Sequence, residues 1–220
     1  MEKFKIIIFS WMPQLLKGAQ ITVSLAVLAV SAGLVISLFL ALGKMSKKIV
    51  VSKLCSAYIF FFRGTPLLMQ IFFVYYALPM IIPALTINNR FIAAFIAFSL
   101  NAAAYLAEII RAALLSIDKG QFEASRALGL TYTQALRLVI IPQSIKRLIP
   151  PIGNEFIMML KDTSLVSIIA LVDITRATRR IQDSTASTLV FIPAMILYLI
   201  ITAVFSFIFR KLEKKYSVYE

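Results

Sequence analysis

Several apolar runs, each about as long as a bilayer is thick, decide what this chain can fold into. The first extends from Ala19 to Gly43, and others lie near 54–82, 91–115, 145–161 and 189–209. A helix needs roughly 20 mostly apolar residues to cross the hydrocarbon of a membrane, so the chain has room for about five spans. Strands of a membrane barrel alternate polar and apolar residues, and these runs do not. Apolar residues make up 60% of the chain and charged ones 15%, a balance foreign to a water-soluble domain. The expectation is an all-α polytopic membrane protein, one transmembrane domain over 1–220 with no soluble core of its own.

The formal net charge of +13 would suit a nucleic-acid binder, but its placement argues otherwise. Lys44, Lys47, Lys48 and Lys53 fall between the first two spans. Lys119, Arg126, Arg137, Lys146 and Arg147 lie in or beside the central polar stretch, and Arg210, Lys211, Lys214 and Lys215 follow the last span. Alternate connections share one face, and positive charge marks that face as cytoplasmic. The N-terminus is then outside and the C-terminus inside. Met1 to Lys17 reads as an interfacial helix anchored by Trp11 rather than a cleaved signal, since Pro13 and Lys17 interrupt the apolar region.

The chain has no His and one cysteine, Cys55. A zinc-protease pair, a Ser–His–Asp triad and a haem proximal histidine are therefore unavailable. Gly43-Lys44 lacks the earlier glycine and following hydroxyl of a phosphate-binding loop. Any nucleotide hydrolysis belongs to a partner, and no catalytic or metal-ligating residue is expected.

The middle of the chain, 118–142, is too polar for a bilayer yet patterned for helix. Gly129 suits the left-handed residue closing a helix that begins near Asp118. Thr131 and Gln134 read as a capping box opening a second helix, which Pro142 would end or kink. The expected product is two short helices meeting at a bend, a knob offered to water. Glu123, Ala124 and Gly129, followed by Val139, Ile141 and Pro142, resemble the E-A-A-x3-G-x9-I-x-L-P loop of the permease subunits of ABC importers. Ser125, Val139 and Ile141 are conservative departures from it.

The second apolar run is interrupted by Arg63-Gly64-Thr65-Pro66. Pro66 removes a backbone donor, pushes Thr65 toward extended backbone, and Gly64 weakens helix further. Broken backbone at membrane depth survives where it is buried or lines a cavity; a simple proline kink satisfies the same facts. The stretch Arg63 to Gln70 is similar to one in permeases for polar amino acids, as is Leu15 to Thr22, and this similarity favours the cavity. Asn154 to Leu165 is similar to the corresponding stretch in family members carrying different amino acids, so the acids alone do not fix the substrate.

Charges within spans need partners or a purpose. Asn101, Tyr105 and Glu108 recur at i, i+4 and i+7, with Arg111 three residues beyond Glu108. Their depth suggests substrate contact for Asn101 and Tyr105 and a structural pair for Glu108 and Arg111. Glu155, Met158, Met159 and Asp162 also share a face, suited to a cationic side chain with an aliphatic stem. Alternatively the two acids neutralise Arg63, Lys161 or a residue of a second subunit. In the outer section, Arg176, Arg179 and Arg180 stand at helical spacing from Asp173 and Asp183. They read either as an exposed surface helix or as a dock for an extracellular binding protein.

The resemblance covers essentially the whole chain. It implies the MetI-like fold of type I ABC importers, with five transmembrane helices, in a prokaryotic inner (cytoplasmic) membrane. It implies two ATP-binding-cassette ATPase subunits, which hold the ATP and Mg, and no cofactor on this chain. A second permease subunit, identical or paralogous, and an extracellular solute-binding protein complete the set of partners. Glu123, Ala124, Ser125, Ala127, Gly129 and Leu130 are then expected to meet the ATPase. Gly64, Thr65, Leu67, Met69, Asn101, Tyr105, Glu155, Met159 and Asp162 are expected to meet the substrate. The acids favour a basic amino acid such as arginine, lysine or histidine, with glutamine or another polar amino acid as the alternative. An ion-coupled secondary transporter would share the broken helix but has no use for the knob. A membrane-embedded protease lacks its nucleophile–base pair here.

Overall fold

The computed structural model describes residues 7–216, which are helical nearly throughout, with no strand among the described residues. Helix α1 (Met12–Lys44) follows a π-helical turn at Ile7–Trp11. It starts well before Ala19 because Pro13 occupies the first helical turn, where a missing N–H costs nothing. Of the interfacial helix expected over 1–17, residues 12–17 form the N-terminal end of α1, and residues 1–6 lie outside the described range. Trp11 is buried in a cluster with Leu15, Ile174, Ala177 and Ile181 rather than exposed.

Helix α2 (Ile49–Gly64) and helix α3 (Leu67–Ile81) meet at an angle of 103°. The second expected span, 54–82, is therefore a sharply broken pair, with Pro79 inside α3. Helix α4 (Arg90–Leu115) opens at Asn89, whose side chain accepts from the Phe91 and Ile92 N–H groups. It packs along α1 through small residues. Ala26, Ala29 and Gly33 face Ala94, Ala97, Ala102 and Ala103, and a Cβ on Gly33 would stand 2.8 Å from that of Ala102. In lipid, where apolarity drives no association, such close packing holds helices together.

Helix α5 (Lys119–Ala127) is capped by Asp118 and closed by Gly129 at φ +85°. Thr131 and Gln134 form the expected capping box. The helix it opens, α6, does not stop at Pro142. It runs over residues 132–162, with a π-helical turn at Leu136–Ile140 and Pro142, Pro150 and Pro151 along it. The wide turn just before Pro142 takes up the register that the missing N–H upsets. The second arm of the knob and the fourth expected span, 145–161, are thus one helix.

A 3-10 segment (Thr163–Ile169) leads to helix α7 (Ile174–Thr185) and helix α8 (Phe191–Tyr216). Asp173 accepts hydrogen bonds from the Thr175 and Arg176 N–H groups at the start of α7. Its carboxylate caps the backbone instead of offsetting Arg176, and Arg179 and Arg180 are exposed. α7 sits tightly on α1: a Cβ on Gly18 would lie 2.7 Å from the Asp173 carbonyl oxygen.

Single helices α1, α4 and α8 are long and apolar enough to cross a bilayer, and the α2–α3 pair adds another if counted as one span. α6 is more polar and buries one face in protein. Phe156, Met159 and Leu160 pack into the core shared with α1, α3 and α4, and Phe156 also touches Phe205 and Phe209 of α8. Large apolar side chains such as Phe39 of α1 and Leu199 of α8 stay exposed, as a lipid-facing surface requires.

Candidate functional site

The break between α2 and α3 creates the site. Pro66 has no N–H, so the carbonyl of Phe62, four residues earlier, loses its helical partner. Two side-chain amides replace it: Gln70 Nε2 donates at 3.0 Å and Asn101 Nδ2 at 3.2 Å. Gln70 Nε2 also reaches the Thr65 carbonyl at 3.1 Å and hydroxyl at 2.8 Å, while Asn101 Nδ2 donates to Gln70 Oε1 at 3.0 Å. Thr65 is extended, with φ −115° and ψ 143°, as a residue preceding proline should be. The turn is locked by side chains from α3 and α4, and Gln70 is buried.

Beside this turn lies a cavity of about 460 Å³. Its walls are Arg63 to Leu68 from the break, Asn101 and Tyr105 from α4, Glu155, Met158 and Asp162 from α6, and Leu165. Of the residues that sequence singled out for substrate, it brings together Gly64, Thr65, Leu67, Asn101, Tyr105, Glu155 and Asp162. Met159 and Met69 are not among them. α6 turns the Met158 edge of its stripe to the cavity and the Met159 edge into the core, where Met159 is 2% exposed. The bend swings Met69 to a separate apolar cleft between α2, α3 and α4. Asn101 has both N–H groups engaged, so its free polar atom is the acceptor Oδ1.

Sequence reasoning missed Gln70 as a support, although a glutamine one turn after Pro66 in an apolar run was a usable signal. It also missed the full company of Glu108. Arg111 bonds Glu108 at 2.9 Å as the spacing suggested, but Lys44 reaches it from α1 at 2.7 Å and Arg63 from α2 at 3.9 Å. The Arg63 guanidinium lies over the Tyr105 ring, 5.3 Å from its centroid. A second cavity of about 400 Å³, lined by Lys44, Ser56, Ile59, Phe60, Arg63, Gly64 and Tyr105, adjoins this cluster.

At the knob, Glu123, Ala124, Ala127 and Gly129 are exposed, Leu130 is half-buried and Ser125 is buried, its hydroxyl donating to the Gln121 carbonyl at 2.6 Å. The two arms are tied by Gln143 Nε2 donating to Gln121 Oε1 at 3.0 Å and by the edge of Phe122 against Tyr132. The Arg147 guanidinium donates to the Ser116 carbonyl at the end of α4. Leu128, 83% exposed, projects at the bend. The elbow thus carries an uncovered apolar side chain at its tip.

Comparison with known proteins gives a consistent result. The family described as binding-protein-dependent transport system inner membrane component matches residues 33–218. The glutamine transport system permease protein GlnP of Escherichia coli is 39% identical over 207 residues, 94% of each chain. The L-cystine transport system permease protein TcyB of Bacillus subtilis is 37% identical over 213 residues, 96% of this chain and 89% of that one. A crystal structure of an amino acid ABC transporter with histidines superposes with a TM-score of 0.89 at 39% identity, covering 96% of this chain and 97% of that chain. An inward-facing structure of the MetNI methionine ABC transporter, 19% identical, shares the fold with a TM-score of 0.81, covering 95% of this chain and 99% of that chain.

Proposed function

The chain belongs to the binding-protein-dependent transport inner-membrane family, and on that premise we propose that it is the conducting subunit of an ATP-driven importer of polar amino acids. The observation that carries this reading is the cavity at the broken helix, which presents one cation, Arg63, and two carboxylates, Glu155 and Asp162. An α-amino acid carries both charges on its backbone, and each needs an opposite partner away from water. The acids therefore need not read a basic side chain; they can hold the α-ammonium, with Asn101 Oδ1 as a further acceptor. The relatives named for glutamine and cystine support a neutral polar substrate such as glutamine better than the basic one that the acids alone suggest.

In this reading the coupling is mechanical. Glu123, Ala124, Ser125, Ala127, Gly129 and Leu130 form the elbow that enters a groove on a separate ATPase, which binds the ATP and Mg. The elbow's second arm and the wall bearing Glu155, Met158 and Asp162 are the same helix, about 45 Å long at 1.5 Å per residue. A pull on the elbow moves the cavity wall directly, with the prolines of α6 as points of bending. Two such chains, identical or paralogous, pair with two ATPases and an extracellular binding protein. The ends of α1, α4 and α8 near Lys44, Ser116 and Phe209 face the cytoplasm, leaving the N-terminus outside. Support comes from contacts gathering these ends around α4 and α6 and from the positive charge there.

The test is uptake into proteoliposomes holding the permease, its ATPase and its binding protein. ATP-dependent accumulation of radiolabelled glutamine, with arginine and lysine poor competitors, is expected. Accumulation that survives without ATP and collapses with the ion gradient overturns the reading.

A further inference from the structure

Three cations surround Glu108, and they are not equivalent. Lys44 at 2.7 Å and Arg111 at 2.9 Å hold it by hydrogen bonds. Arg63 stands off at 3.9 Å, and no hydrogen bond to its guanidinium occurs among the described residues. One carboxylate already hydrogen-bonded by two cations leaves the third without a hydrogen-bonded partner, and the other carboxylates that its charge faces, Glu155 and Asp162, line the same cavity. The side chain of Arg63 is 45% exposed, against 28% and 31% for its two rivals. What positions it is the Tyr105 ring beneath it, a contact that fixes a plane but leaves the five N–H donors open.

Arg63 also stands where two spaces meet. The cavity beside the break and the one beside Lys44 share Arg63, Gly64 and Tyr105. Asn101 and Glu155 line only the first, Lys44 and Ser56 only the second. Along α4, Asn101, Tyr105 and Glu108 descend about 10 Å at 1.5 Å per residue, so the cavities are stacked, with the stacked Arg63–Tyr105 pair as their shared wall. Gly64 has nothing within 4 Å of a Cβ position, leaving room beside that wall.

We infer that Arg63 is the residue that receives the substrate's carboxylate, and that it carries this group from the upper cavity to the lower one. It is the only cation among the upper cavity's lining residues, and a guanidinium offers a carboxylate two parallel bonds that Glu108, already engaged, does not compete for. A carboxylate in the upper cavity draws the guanidinium away from Glu108; when the spans rock, the same guanidinium turns back over Tyr105 toward Lys44, and its cargo enters the lower cavity without leaving a positive partner. Every α-amino acid carries this carboxylate, so the residue selects for the class and not for the side chain.

This inference rests on the amino acid reading above, and its test separates the two. The purified permease–ATPase complex in detergent, without binding protein, is loaded with radiolabelled L-glutamine, and unlabelled L-glutamine or L-glutaminamide competes. The amide keeps the ammonium and side chain but loses the carboxylate's charge. In the unaltered complex the amide is expected to compete about 10- to 100-fold more weakly, the range lost with a charge-assisted hydrogen bond. In Arg63→Gln the two competitors become nearly equal, and Arg63→Lys, which keeps the charge but not the fork, falls between. Equal competition in the unaltered complex overturns the inference whether or not a variant folds, and so does an undiminished ratio in Arg63→Gln. A complex that binds no amino acid at all overturns the transport reading instead.

Discussion

Gln70 offers the sharpest test of the idea that side chains, not backbone, hold the break in its working shape. Gln70→Leu keeps the volume and removes two donors and one acceptor. It deletes the bonds to the Phe62 carbonyl and to the Thr65 carbonyl and hydroxyl, and the one received from Asn101. Hydrogen bonds inside membrane proteins average about 0.6 kcal/mol each, so the four account for about 2 kcal/mol. The Phe62 carbonyl keeps Asn101, but the Thr65 carbonyl and one Asn101 N–H are left without these partners, adding at least about 1 kcal/mol. The expected loss is about 3 kcal/mol, or roughly a 100-fold fall in the folded-to-unfolded ratio. Gln70→Glu should be worse, since an ionised carboxylate cannot donate to either carbonyl and faces both. Denaturant titration of the detergent-solubilised complex, followed by its helical signal, reads the stability, and ATP-driven uptake reads the function. Gln70 does not line the cavity, so transport should fall without Gln70 touching substrate. A Gln70→Leu complex as stable and as active as the parent would refute the locking argument.

Other outcomes follow from the same geometry. Glu123→Arg should leave insertion intact and uncouple ATP hydrolysis from uptake. Gly129→Ala, strained by about 1–2 kcal/mol in left-handed backbone but meeting nothing within 4 Å, should disturb the docked elbow more than the fold; uptake and hydrolysis that stay coupled in both variants remove the elbow from the mechanism. Glu155→Gln with Asp162→Asn should weaken glutamine and arginine alike, by about 10- to 100-fold if the acids hold the α-ammonium. A selective loss of arginine in competition binding would return the acids to reading a basic side chain. Gly18→Val should cost about 1–3 kcal/mol through overpacking, because the added Cβ meets backbone atoms of Asp173 and Ile174 at 2.7 to 2.9 Å. Unchanged unfolding would show that α7 shifts freely on α1.

What the chain's order of residues settled by itself is what local chemistry controls. Asp118, Gly129 and Thr131 start, close or cap helices within a few residues of themselves, so their roles were readable from spacing. The Glu108–Arg111 pair was legible for the same reason, as was the break at Pro66, since proline acts on its own neighbours. Tertiary structure alone decided the rest. It brought Lys44 to Glu108 across 64 residues and Asn101 to Phe62 across 39, contacts that no periodicity announces. It also chose the Met158 edge of α6 over Met159, turned Met69 to another cleft and carried α6 through Pro142. Each of these depends on which neighbour occupies the adjoining space, and in a bilayer that is set by how closely helices pack, not by the pattern of any one of them.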